Sequence, residues 1–146
     1  MYKVTGKIFL CGIIFAVIAW VIHTIESILS MSFYTDPNYF SVWSKLMMPT
    51  AGPPPASFMV YSLLFSFIGG VLFALVYDVV KNSIKEKTTL DTGAFYGLLV
   101  FLIAGIPLSL TMILLINLPL ALILIWAVSG LIVYIINGII VAKLLK

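Results

Sequence analysis

Four long apolar runs dominate the chain, separated by polar or proline-rich breaks. They cover about residues 8–29, 57–80, 93–116 and 119–142. A helix rises about 1.5 Å per residue, so each run is long enough to cross a hydrocarbon core of roughly 30 Å. Backbone polar groups in lipid must be satisfied within the segment, which favours helices; the short alternating segments of a membrane barrel are not seen. The pattern predicts an all-α integral membrane protein, a four-transmembrane-helix bundle forming a single domain over residues 1–146.

The longest break, residues 30–56, carries a second helical pattern. Asp36 is a good N-cap, and Pro37 suits the first helical position, which needs no amide donor. Apolar residues then recur with helical spacing at Tyr39, Val42, Trp43, Leu46 and Met47. The pattern predicts a short amphipathic helix over about residues 37–48, lying in the membrane interface. We interpret it as a lid on the end of the bundle, or as a cover over a ligand entry or a docking surface for a partner subunit.

The two remaining connections are short. Residues 81–92 form a charged loop in which Asp91 or Thr92 could cap the third span. Residues 117 and 118 leave almost no loop between the third and fourth spans. Those two spans are therefore predicted to form an antiparallel hairpin.

Composition excludes several classes of protein. Of the 146 residues, 63% are hydrophobic and only 9% are charged, whereas a soluble domain carries about 25% charged residues. The single Cys11 excludes a disulfide scaffold, and the single His23 excludes a metal site rich in histidine and cysteine. We expect no cofactor and no bound metal. The net charge of +3 does not indicate nucleic acid, because the lysines lie at the ends of the spans.

Lysine placement predicts the orientation of the bundle. Seven of the eight lysines fall on the side shared by both termini, and Lys45 alone falls on the other: the seven are Lys3, Lys7, Lys81, Lys85, Lys87, Lys143 and Lys146. Positive charge accumulates in the cytoplasm, so we expect a multi-pass protein of the cell membrane with both termini inside and the long loop outside. An alternative is that the first span is a cleaved signal peptide, which would leave three spans.

Small residues recur every four positions on two of the spans. The second span carries Ser62, Ser66, Gly70 and Ala74, and the third carries Gly93, Gly97, Gly105 and Ser109 on the same period, which Phe101 interrupts. Membrane helices associate where small residues let the backbones approach. The two stripes predict tight packing, and they place the second and third spans against each other. Contacts between subunits of an oligomer are the alternative.

Ionisable groups within the spans are the candidate functional residues, because hydrocarbon penalises charge. His23 and Glu26 are three residues apart on one helical face and lie near the outer boundary. They could form a proton or cation site, or they could be structural. Asp78 is expected to face cytoplasmic water or Lys81, with an inner gate as the alternative. Asn137 is expected to hydrogen-bond across helices.

Function follows only weakly from these observations. Pro107 predicts a kink in the third span, and we interpret the methionines as packing residues. No nucleophile elbow, phosphate loop, dinucleotide fingerprint or zinc-protease helix is present. The leading hypothesis is therefore a non-enzymatic membrane component, either an accessory subunit of a larger complex or a homo-oligomer. The alternative is a small proton- or cation-coupled transporter or channel that uses His23 and Glu26; a lipid- or quinone-acting enzyme is the least favoured.

Overall fold

Helices form all the regular secondary structure in the part of the chain that the structure, a computed structural model, describes. That part comprises residues 2–50, 52–84 and 86–146, with side chains from residue 5 onward. Lys85 and the side chain of Lys3 therefore lie outside the described residues. The helices are α1 (Tyr2–Leu29), α2 (Met31–Tyr34), α3 (Ala56–Val80), α4 (Thr89–Val100), α5 (Ile106–Leu115) and α6 (Leu120–Leu144), with 3₁₀ turns at Pro37–Tyr39 and Lys81–Ser83 and a π-helical turn at Phe101–Gly105.

Four segments of these helices are long and apolar enough to cross a membrane. They are Thr5–Leu29, Ala56–Ser83, Thr89–Leu115 and Leu120–Leu144. The four predicted spans are thus confirmed as membrane-length helices, and no end differs from the predicted one by more than four residues. The structure therefore supports a multi-pass helical membrane protein.

The third span begins earlier than predicted because its N-cap is Thr88. The Thr88 hydroxyl accepts the N–H of Asp91 at 3.1 Å and donates to the Asp91 carboxylate at 2.7 Å. The first of these bonds is an N-cap, which satisfies an amide that the first helical turn leaves unpaired. The prediction that Asp91 or Thr92 caps this span is therefore wrong, since both residues lie inside α4.

The third span is also irregular in its middle. The N–H of Ile106 bonds to the carbonyl of Phe101, five residues back, which is the π-helical pattern. Pro107 follows immediately, in the first turn of α5, and proline has no N–H to continue an α-helical ladder. The irregularity thus lies next to the proline at which the sequence predicts a kink.

The predicted amphipathic helix over residues 37–48 is wrong in extent. The Asp36 carboxylate does accept the N–H of Asn38 at 2.9 Å, but the helix that it caps is a single 3₁₀ turn, and separate turns follow. Aromatic, β-branched and polar residues here have low helix propensity. The hydroxyl of Ser44 also accepts the N–H of Met47 at 3.2 Å, so a side chain competes with the helical backbone.

Helix packing divides the bundle into two hairpins, α1 with α3 and α4 with α6, which are joined mainly where α1 meets α6. A Cβ at Gly70 would collide with Phe15 of α1. A Cβ at Gly97 would collide with the backbone of α6 at Tyr134, and one at Gly138 with the backbone of α4 at Gly93. The two small-residue stripes therefore do not pack against each other as predicted: Gly70 packs against α1 and Gly97 against α6, each within its own hairpin, because that is where the backbones approach.

The ends of the bundle are distinguished by their contacts. The Lys81 ammonium donates to the carbonyl of Leu145 at 2.7 Å, and Ile8 belongs to the same buried cluster as Leu145. The beginning of α1, the second connection and the C-terminus therefore share one end, which we call the terminal end. The opposite end, which carries the connection from α1 to α3, is called the loop end.

Candidate functional site

The hairpins leave a cavity of about 1030 Å³ between them toward the loop end. The buried core that joins the hairpins lies toward the terminal end, around Phe73, Tyr77 and Tyr96. Nearer the loop end, residues from all four spans and from the long connection line the open space. The members of the small-residue stripes nearer the terminal end pack against neighbouring helices. The remaining members line this cavity: Ser62 and Ser66 on α3, Gly105 in the π-helical turn and Ser109 on α5.

A buried carboxylate, Glu26 of α1, lies in the wall of the cavity with only 6% of its surface exposed. Its Oε1 accepts the Ser30 hydroxyl at 2.6 Å and the Tyr34 hydroxyl at 3.3 Å. The Ser30 hydroxyl also lies 2.7 Å from the backbone carbonyl of Glu26, so its single proton serves the carbonyl and the carboxylate in turn. Oε2 lies 3.9 Å from Nδ1 of His23, close enough for an ion pair if the histidine is protonated but too far for a hydrogen bond.

Tyr34 extends this network to the fourth span. Its hydroxyl accepts the indole N–H of Trp126 at 2.7 Å while donating to Glu26. Burial raises the pKa of Tyr34 to about 12, with the Glu26 charge adding to the effect. The tyrosine therefore stays protonated, so it can act as a donor to the carboxylate throughout the physiological range. We call Glu26, Ser30, Tyr34 and Trp126 the polar centre.

Aromatic rings support the polar centre from the long connection. Trp43 lies 5.2 Å from Tyr34 and 6.3 Å from Trp126 between ring centroids. This packing fixes the position of Tyr34 and explains why Trp43 leaves the predicted helical stripe. The Trp43 indole N–H is buried and has no hydrogen-bond partner among the described residues. Trp43 thus adds apolar contact to the centre without adding a donor.

The remaining wall of the cavity is mostly apolar and rich in sulfur. Five of the six methionines in the chain line it, namely Met31, Met47, Met48, Met59 and Met112. Unbranched methionine side chains adapt to irregular surfaces and recur at promiscuous binding sites. The sequence interpretation of the methionines as packing residues does not include this place beside open space.

The structure brings His23 and Glu26 together, as their spacing predicts. Glu26 is buried, whereas half of the His23 side chain is exposed. Both residues line the cavity, together with Tyr134 of α6. Among the residues that the structure describes, no group of three or more histidine, cysteine, aspartate or glutamate side chains could hold a metal ion.

The two other predicted polar residues lie away from this site. The amide of Asn137 is buried and donates to the carbonyl of Val133 in its own helix at 2.9 Å. The prediction that Asn137 bonds across helices is wrong, since the hydrogen bond that its amide donates goes to the carbonyl four residues back in the same helix. The Asp78 carboxylate pairs with the Lys81 ammonium at 2.9 Å, at the terminal end.

Sequence reasoning missed three members of the polar centre. Ser30 and Tyr34 follow Glu26 by four and eight residues, so helical spacing places them on its face; that signal was available. The contribution of Trp126 depends on how the two hairpins pack, and spacing along one helix carries no information about it. Comparison with models of known protein families, with curated protein sequences and with solved structures gives no match.

Proposed function

We propose that this chain is a non-enzymatic protein of the cell membrane, with both termini in the cytoplasm and the loop end outside. The lysine distribution supports this orientation, since Lys7, Lys81, Lys87, Lys143 and Lys146 belong to the terminal end and positive charge favours the cytoplasmic side. In this orientation the cavity lies in the outer half of the membrane, and the long connection forms part of its outer wall.

We further propose that the protein binds a small molecule in this cavity and transports it across the membrane, with Glu26 as the group that exchanges a proton or a cation. The observation that carries the proposal is the buried Glu26 carboxylate in the wall of a cavity of about 1030 Å³. Ionisable groups inside a membrane are expensive and mark substrate or proton pathways. His23, half exposed, lies beside it in the cavity wall and gives the carboxylate a polar, titratable neighbour.

A second candidate function is an accessory subunit or a homo-oligomeric component. One observation favours it: the small residues Ser62 and Ser66 of α3 and Gly105 and Ser109 of the third span line the cavity. Such small residues let another helix approach closely. A helix from a partner subunit or from a second copy would then occupy the space that the first proposal assigns to a small molecule.

Thiol accessibility in sealed vesicles distinguishes the two functions. The background is C11A, which removes the buried native cysteine. In it, S66C places a thiol in the cavity, and L64C, two residues away and about 200° around the helix, places a matched thiol on the exposed outer face. The reagent is a membrane-impermeant methanethiosulfonate added on the loop side, and mass spectrometry measures the rate of modification.

A water-accessible cavity predicts that S66C reacts about tenfold faster than L64C, because thiolate forms in water and not in lipid. Equal and slow reaction of both thiols would contradict the transport proposal, since it would mean that lipid or a partner fills the cavity. Cross-linking of S66C to a second polypeptide in native membranes would then support the accessory function.

A further inference from the structure

We infer that the ligand of the cavity is an amphipathic organic cation, whose positive group lies at Glu26 and whose apolar body lies among the methionines and aromatic rings. This inference rests on the proposed function, because it names the class of molecule that the same cavity binds. Three features carry it: the charge of the wall, the free acceptor on Glu26 and the nature of the apolar lining.

Fixed charge in the cavity wall comes from Glu26. Among the described lining residues Glu26 is the only acidic one, none is a lysine, and His23 is the only one that becomes positively charged when protonated. Lys45, which lies in the long connection, is exposed and outside the lining. Beside a neutral His23, an anionic ligand would therefore meet a carboxylate with no cation to offset it in an environment of low dielectric. A cationic ligand would supply the missing partner.

The Glu26 carboxylate has room for such a partner. Its Oε1 is occupied by the hydroxyls of Ser30 and Tyr34, which hold the carboxylate in place. Its Oε2 faces His23 at 3.9 Å and receives no hydrogen bond from it at that distance. Oε2 can therefore accept a further hydrogen bond, and its neighbour His23 lines the cavity. A charged ammonium or phosphonium group close to Oε2 would gain the Coulomb attraction that the hydroxyl donors cannot provide.

The remaining lining suits the apolar part of the molecule. Rings of Trp20, Phe58, Phe101 and Tyr134 border the cavity, and aromatic faces attract cations at short range. The methionines add flexible, polarisable surface that adapts to ligands of different shape. The cavity volume of about 1030 Å³ is at the upper end of the range for pockets that hold drug-sized ligands, about 300–1,000 Å³. We therefore expect several bulky cations to bind, rather than one.

Two ions of the same shape and opposite charge test the inference: tetraphenylphosphonium and tetraphenylborate. Binding of each radiolabelled ion is measured to the full chain in lipid nanodiscs, with empty nanodiscs subtracted. We expect tetraphenylphosphonium to bind the wild-type chain about tenfold more tightly than tetraphenylborate, and E26Q to weaken its binding by about tenfold. E26D keeps the charge and should restore the preference for the cation.

Two glycine variants supply a matched pair that does not alter the polar centre. A Cβ at Gly130 or at Gly69 would meet open space, so both positions accept a larger side chain. Only Gly130 lines the cavity. G130L should therefore weaken binding of tetraphenylphosphonium, whereas G69L should leave it unchanged.

The outcomes distinguish failure of the inference about charge from failure of the cavity as a binding site. Equal binding of both ions to the wild-type chain, blocked equally by G130L, would overturn the inference about charge while leaving the cavity as a binding site. Unchanged binding of tetraphenylphosphonium in E26Q would also overturn it. Binding of neither ion, or binding that G130L does not weaken, would overturn the inference and would also count against the cavity as the site of ligand binding.

Discussion

Glycine residues serve opposite purposes at different positions of this bundle. At Gly97 and Gly138 the missing side chain lets α4 and α6 touch backbone to backbone. At Gly69 and Gly130 a Cβ would find nothing within 4 Å, so the same residue type contributes no contact there. The sequence shows all four glycines in similar apolar surroundings. Which of them are required for packing depends on the partner helix.

Replacement of Gly138 by alanine should destabilise the bundle, whereas replacement of Gly69 should not. The added methyl group at Gly138 would overlap the carbonyl of Gly93, and backbone cannot rotate away as a side chain can. We expect G138A to lower the free energy of unfolding by about 1–3 kcal/mol, as overpacking usually does. Unfolding in mixed micelles with increasing denaturing detergent measures it, and equal stability of G138A and G69A would contradict this account.

The polar centre was only partly predictable from individual residues. The spacing of His23 and Glu26 predicts that they share a face, and the structure confirms it. The sequence predicts a partner for Asn137 in another helix, yet its amide donates to the carbonyl of Val133 in its own helix. Trp126 could not be found at all, because its bond to Tyr34 joins residues 92 positions apart and depends on tertiary packing.

Helices in this protein were predictable in proportion to how strongly the membrane constrains them. Lipid offers the backbone no other hydrogen-bond partners, so a long apolar run forms a helix almost regardless of side-chain propensity. The connection over residues 30–56 lacks that constraint. There Trp43 packs against Tyr34 and Trp126, and this packing replaces the helix that the periodicity predicts.

The start of the third span depends on one side chain, that of Thr88. T88A removes the hydroxyl that accepts from Asp91 N–H and donates to its carboxylate. Loss of an N-cap usually costs about 1 kcal/mol, so we expect the free energy of unfolding to fall by that amount. T89A is the control, because Thr89 lies next to the N-cap residue but takes no part in its hydrogen bonds with Asp91. Hydrogen exchange at the first turn of α4 measures the change, and equal exchange in both variants would refute the assignment of the cap.

The molecule as a whole consists of two hairpins that meet tightly at the terminal end and leave an open cavity between them toward the loop end. The buried cluster and the bond from Lys81 to Leu145 hold the terminal end together. Toward the loop end the hairpins are linked by the polar centre, through the bond from Trp126 to Tyr34. A ligand that binds at Glu26 would therefore lie beside the contact that joins the hairpins there, where its charge could alter their separation.

Orientation in the membrane decides which compartment this cavity serves. Four spans place both termini on one side, and the lysines of the terminal end favour the cytoplasm. We expect green fluorescent protein to fluoresce when fused to either terminus in a bacterial host. Alkaline phosphatase, which is active only outside the cytoplasm, should be active when inserted in the long connection near Lys45 and inactive at the C-terminus. Termini on opposite sides would mean an odd number of spans. A cytoplasmic long connection would place the opening of the cavity inside the cell. The polar centre would then receive its ligand from the cytoplasm.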